Sequence, residues 1–175
     1  MSRPARKRLF FALNPDAGVR EQVAALQRSC GVEGRAVPPA NFHVTLAFLG
    51  MQDAAVIPAV RAIASGLHFE PCTVELDQLG SFRRAGVLWL GAGTVPARLH
   101  GFQARLVEAL QDAAIGHDPK PWKLHLTLYR KMRTPPPTMD FEAIRWRLSG
   151  FSLVESVSVN RGVEYHDIAQ WGGGE

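Results

Sequence analysis

The chain has 175 residues, 46% of them apolar, and 20 lysines and arginines against 16 acidic side chains give a formal charge of +4. That is enough chain for one buried core or two fused lobes of a soluble globular protein, and no apolar run approaches the roughly 18 residues of a membrane span. Two cysteines, Cys30 and Cys72, exclude a disulfide scaffold and offer no metal-type spacing.

The chain opens with a basic cluster, Arg3, Arg6, Lys7 and Arg8, before the apolar run Leu9–Leu13. Five apolar residues interrupted by Asn14-Pro15 are too few for the roughly 7–15 of a secretory h-region, so a cytoplasmic protein is expected. Arg8–Leu13 reads as a buried strand, and Asp16–Arg28, with Val19, Val23 and Leu26 at helical spacing, as an amphipathic helix ended by Gly31 and Gly34. Pro38-Pro39 predicts an extended approach to a strand at Phe42–Leu49, closed by Gly50.

A second helix is expected over Asp53–Gly66, with Asp53 as N-cap and Pro58 in the first turn. Phe69–Leu76 alternates as a strand with an edge at Pro71, Ser81–Gly86 reads as a turn, and Val87–Leu90 as a short buried strand. A helix over Ala97–Ala114 leads to the strand HLTLYR, His125–Arg130, ringed by Lys120, Lys123, Lys131 and Arg133. After TPPPT, Ile144–Val159 reads as one or two strands and Gly162–Trp171 as another.

The order repeats. RLFFAL, a helix and HVTLAFLG correspond to VLWLG, a helix and HLTLYR, with a period of about 80 residues. That is too long for a solenoid, whose repeats run about 20–50 residues, and predicts two related lobes whose motif strands face each other. Side chains two apart on a strand share a face, so His43 projects with Thr45 and His125 with Thr127.

Two positioned imidazoles can divide one acid–base reaction: one accepts the nucleophile's proton and the other protonates the leaving group. Phosphodiester cleavage has that requirement. The hydroxyls of Thr45 and Thr127 suit the non-bridging phosphate oxygens, and Arg130 suits the negative charge. Strict alternation puts Arg130 on the opposite face, so it joins the site only if the strand ends or bulges near Tyr129. Metal binding is disfavoured, because threonine is a poor zinc ligand and no Cys, Asp or Glu completes a set. His68, His100, His117 and His166 stand without partners.

At these residues the chain resembles the two-histidine (HxTx) phosphoesterase superfamily, and within it the RNA 2',3'-cyclic phosphodiesterases, also described as 2'-5' RNA ligases. RLFFAL, NFHVTLAFLG, GSFRRAGVLWLG, HLTLYR and FSLVES carry the resemblance over almost the whole chain. It implies an α+β, bilobal, internally duplicated fold spanning 1–175 as one domain. Its lobes are discontinuous, with motifs at about 42–50 and 124–130, and its two antiparallel sheets line a central cleft with helices outside.

It further implies metal-independent, cofactor-free hydrolysis of 2',3'-cyclic ends to a 2'-phosphate, with possible 2'-5' ligation. By resemblance His43 is the proton donor, His125 the proton acceptor, and Thr45, Thr127 and Arg130 bind substrate. Leu124 stands where the family usually has Pro, and Trp122 holds the aromatic position three before His125. The implied partner is RNA bearing cyclic ends, tRNA fragments included, acted on by a monomer. Trp122 and Phe82 are candidates for base stacking, with core packing as their commoner role. Arg83 and Arg84 are candidates for phosphate contact or ordinary turn residues. Two alternatives stay open: a phosphodiesterase for a small cyclic nucleotide or 2'-5' oligonucleotide, and a non-catalytic RNA-end-binding module.

Overall fold

The computed structural model describes residue 3 and residues 5–173. In chain order the elements are β1 (Arg6–Leu13), α1 (Ala17–Ser29), β2 (Arg35–Ala36), β3 (Val44–Asp53), α2 (Ile57–Ser65), β4 (Cys72–Leu76) and β5 (Gln78–Phe82). They continue with β6 (Val87–Gly91), α3 (Ala97–Asp112), β7 (His125–Arg130), β8 (Ile144–Leu148), β9 (Gly150–Val159) and β10 (Gly162–Gly172). The fold is mixed α and β, as expected, and every strand pairing is antiparallel.

The strand order β10-β9-β1-β3-β7-β6-β5, with β2 beside β7, is interrupted at its middle. Strands β3 and β7 share only the pair Val44↔Leu126, so two half-sheets meet at the start of the two motif strands. A second sheet of two strands pairs β4 with β8. The duplication is visible here, since β1-α1-β3-β4-β5 corresponds in order to β6-α3-β7-β8-β9. The halves exchange their last strands: β5 pairs with β6, and β9 pairs with β1. Each half-sheet therefore contains a strand from the other repeat.

Helices α1 and α3 bury Val19, Val23 and Leu26, and Leu99, Phe102, Leu106 and Leu110, in one continuous core that includes both half-sheets and the β4–β8 pair. Burying each such side chain is worth about 1.5–3 kcal/mol. Asp16 caps α1 by accepting from the Val19 amide (2.9 Å), which satisfies a free N–H of the first turn. Asp53 caps a 3-10 turn at Ala54–Val56 that runs into α2, with Pro58 in the first turn as the sequence predicts.

Three expectations need correction. The Ser81–Gly86 segment is not wholly a turn: strand β5 runs through Phe82, followed by a 3-10 turn and Gly86 at φ 65. Gly80 hides that strand in the sequence, and its missing side chain is the space into which the Trp89 indole packs. Pro38 is extended, but Pro39–Asn41 forms a 3-10 turn, because proline suits the first position of such a turn. Strand β3 does not close at Gly50 but continues to Asp53, with Gly50 absorbing a bend at φ 69.

Candidate active site

His43 and His125 enter their half-sheets beside the Val44↔Leu126 joint and are held alike. The Nδ1 of His43 contacts the Asn41 carbonyl at 2.7 Å, and that of His125 the Lys123 carbonyl at 2.8 Å. A carbonyl only accepts, so each neutral ring carries its proton on Nδ1, leaving Nε2 as the nitrogen available for proton exchange. The Nε2 of His43 lies 3.1 Å from the Thr45 hydroxyl, which donates to it in the neutral form.

Aromatic rings enclose both histidines. Phe10 lies 4.9 Å from His43 between ring centres, and Tyr165 stands edge-on at 5.0 Å. Phe82 stands edge-on to His125 at 5.1 Å. Burial is the largest influence on His43 and lowers its pKa. The Asn41 carbonyl opposes this, the charges of Arg130 and His125 add to it, and the result is about 4. His125 is also lowered, first by burial and then by the charges of Lys123 and Arg130, against the Lys123 carbonyl. The charge of Arg130 acts on both rings, and Arg130 lines the same cleft as His43 and Thr45.

Arg130 reaches this face through a bulge. Opposite β6, Leu88 pairs with Tyr129 and Trp89 with Thr127, so Leu128 is an extra residue. Leu128 and Tyr129 are both buried and Arg130 is exposed. The alternation is thus reset, and Arg130 follows His125 and Thr127 on one face. Strand β3 has the same bulge at Leu46, between Phe11↔Ala47 and Ala12↔Thr45. By that count Phe48, exposed at 39%, holds the position of Arg130 in the other repeat.

The buried Gln27 of α1 fastens the bulge at Leu128. Its Nε2 donates to the Leu128 carbonyl at 2.8 Å and to Val37 at 2.9 Å, while the Tyr129 hydroxyl donates to the Gln27 carbonyl at 2.9 Å. A glutamine at a helical core position is the only trace of this in the sequence.

Clefts open on both sides of the joint. One of about 570 Å³ on the His43 side is lined by His43, Thr45, Phe48, Arg130 and Tyr165, and by cationic side chains from several strands. The other, on the His125 side, is lined by Thr45, Phe82, Trp122 and His125. The structure brings His43, Thr45 and Arg130 to one cleft and His125 to the other, with Thr127 on the same strand face as His125, while Phe10, Tyr165 and Gln27 come from distant segments that the sequence does not single out. Trp122 is half-buried and donates its indole N–H to the Thr45 carbonyl at 2.8 Å. Phe82 is exposed beside His125, while Arg83 and Arg84 occupy the exposed turn after it. Among the described residues no three His, Cys, Asp or Glu converge as a metal site, and no helix is long and apolar enough to cross a membrane.

The sequence model of the 2'-5' RNA ligase superfamily matches residues 15–161. The chain belongs to that superfamily. It is 29% identical over 177 residues to the RNA 2',3'-cyclic phosphodiesterase of Escherichia coli, covering 98% of each chain. It is 30% identical to the protein of the same name from Archaeoglobus fulgidus, covering 92% of this chain and 97% of that one. Among solved structures it superposes on E. coli LigT complexed with 3'-AMP with a TM-score of 0.84 at 28% identity, covering 96% of this chain and 98% of that one. The superfamily match spans both motif strands, so neither histidine lies outside the shared region.

Proposed function

We propose that this chain hydrolyses the 2',3'-cyclic phosphodiester at an RNA 3' end to a 2'-phosphomonoester without a metal ion. The carrying observation is the pair of imidazoles, each fixed through Nδ1 to the carbonyl two residues before it, at the joint of two half-sheets. The names of the similar E. coli and A. fulgidus proteins support the substrate class.

In the reaction, His125 Nε2 takes a proton from water, whose oxygen forms the new bond to phosphorus. The bond from phosphorus to O3' breaks, and O3' takes the proton on His43 Nε2. Each proton transfer of this kind contributes roughly 10²–10⁴-fold. Thr45 and Thr127 donate to the non-bridging oxygens, and Arg130 balances the charge that grows on them. A 5'-hydroxyl of a second RNA in place of water yields a 2'-5' linkage by the same steps. Residues 1–175 act as one catalytic unit, a cytoplasmic monomer.

His43 holds a pKa near 4 in the free site, which disfavours the imidazolium that an acid needs. An anionic phosphate between the rings raises it by direct charge attraction, so the acid is charged by the substrate it serves. The test is turnover of an oligonucleotide 2',3'-cyclic phosphate by His43→Ala and His125→Ala. Each loses at least 10²-fold if both rings transfer protons. Full activity in either variant removes that histidine from the mechanism.

A further inference from the structure

The two clefts beside the joint differ in charge. The His43 side brings together Arg8 from β1, Arg35 from β2, Arg130, Lys131 and Arg161, with no Asp or Glu in its lining. None of these five forms an ion pair among the described residues, where the recorded pairs are Lys7–Glu155, Arg98–Glu70 and His166–Glu164. The His125 side sets Lys120 and Lys123 against Glu108 and Asp118. Five exposed like charges gathered along one cleft repel one another, and a polyanion lying between them relieves that repulsion.

The cationic cleft is also built. Arg35 Nη2 donates to the Arg161 carbonyl at 2.6 Å, and Asn41 Nδ2 to the Val163 carbonyl at 3.1 Å, tying the β9–β10 turn to the segment before His43. Lys131 takes φ 52, left-handed for a residue with a side chain. Hydrogen bonds from Met132 N to Gly86 and from Arg133 N to Glu33 hold it there. The cleft starts at His43 and Arg130 and runs outward to Arg161.

Resting on the function proposed above, we infer that this cleft is a subsite for the phosphodiesters upstream of the cyclic end. The RNA strand leaves the reaction centre over the His43 half and not over the His125 half. The substrate is then an oligonucleotide end, since a nucleoside cyclic phosphate carries a single charge and leaves Arg8, Arg35 and Arg161 without a partner. Phosphate contacts confer affinity without base specificity.

The experiment compares a trinucleotide 2',3'-cyclic phosphate with a nucleoside 2',3'-cyclic phosphate, using wild type, Arg35→Gln, Arg161→Ala, the combined variant and Lys120→Glu. Binding of the 2'-phosphorylated trinucleotide is followed across salt concentrations. Wild type should show a KM for the trinucleotide at least about tenfold lower, because its two upstream phosphodiesters add contacts. The combined variant should lose that advantage with the nucleoside KM unmoved. Its slope of log affinity against log salt should fall by about 0.7 per lost contact. Lys120→Glu should match wild type.

Equal KM values for the two substrates in wild type overturn the subsite while leaving the hydrolytic activity intact. So does an equal effect of the variants on both substrates, or a trinucleotide-specific loss in Lys120→Glu. If neither substrate turns over but the salt-dependent trinucleotide binding is lost in the combined variant, the subsite stands and the hydrolytic reading fails.

Discussion

Trp122 donates its indole N–H to the Thr45 backbone carbonyl across 2.8 Å, joining the approach to one histidine to the strand of the other. Thr45 lies two residues after His43, and Trp122 three before His125. The edge of His100 meets Trp122 at 5.4 Å and fixes its ring. The bond sets one motif relative to the other, a tie that the single Val44↔Leu126 pair supplies only weakly.

Trp122→Phe keeps most of the packing and removes the donor. A hydrogen bond of this kind is worth about 0.5–1.5 kcal/mol, so kcat should fall by up to about tenfold with a small change in melting temperature. An unaltered kcat would show that this tie does not position the catalytic groups.

Gln27 should matter through Arg130. In Gln27→Leu the Val37 carbonyl loses its amide donor and the Leu128 carbonyl keeps only the Val37 N–H at 2.9 Å. Leaving buried acceptors short costs about 1–3 kcal/mol of stability and frees the bulge that aims Arg130. A double-mutant cycle with Arg130→Ala should show strong coupling in kcat/KM, the second substitution adding little to the first. Additive losses would mean that Gln27 serves the core alone.

The rate should depend on pH on the acid side of an ordinary histidine. Both rings lie below 6.5 in the free protein, and above both values the acid has lost its proton. kcat/KM, which reports the free enzyme, should therefore decline as pH rises above 6.5. Bound phosphate raises the histidine values, so the alkaline limb of kcat should lie at higher pH than that of kcat/KM. Coincident limbs would mean that the phosphate does not charge His43.

Stability should follow His43 in the same range. Its folded pKa of about 4 lies below the unfolded 6.5, so the unfolded chain binds more protons between those values. The contribution is complete above 6.5 and is lost as pH falls toward 4, up to about 3 kcal/mol at 1.36 kcal/mol per unit. Denaturant unfolding across that range should show the slope in wild type and a reduced slope in His43→Gln, with the remainder contributed by His125, whose pKa is also lowered. An equal slope in the variant would assign it to other groups.

The motif strands were legible because their alternation is local: His43, Thr45, His125 and Thr127 fall on the half-exposed face and their neighbours are buried. The facing of Arg130 was legible only as a condition. A bulge at Leu128 depends on the register against β6, which lies more than 30 residues earlier in the chain and leaves no mark on HLTLYR. Strand β5 was hidden by Gly80, whose purpose is to admit the Trp89 ring. The exchange of β5 and β9 was also hidden, because strand pairing at that separation is set by the packed core and not by neighbouring residues. Arg8, Arg35 and Arg161 are far apart in sequence and become one cleft only through β1, β2 and the β9–β10 turn.

The central claim is the chemistry of the paired histidines, and product analysis tests it most directly. An oligonucleotide ending in a 2',3'-cyclic phosphate is incubated with the protein in excess EDTA, and the new end group is identified. The paired-histidine mechanism predicts undiminished turnover to a 2'-phosphate with a free 3'-hydroxyl. A 3'-phosphate product, or turnover abolished by the chelator, would contradict it.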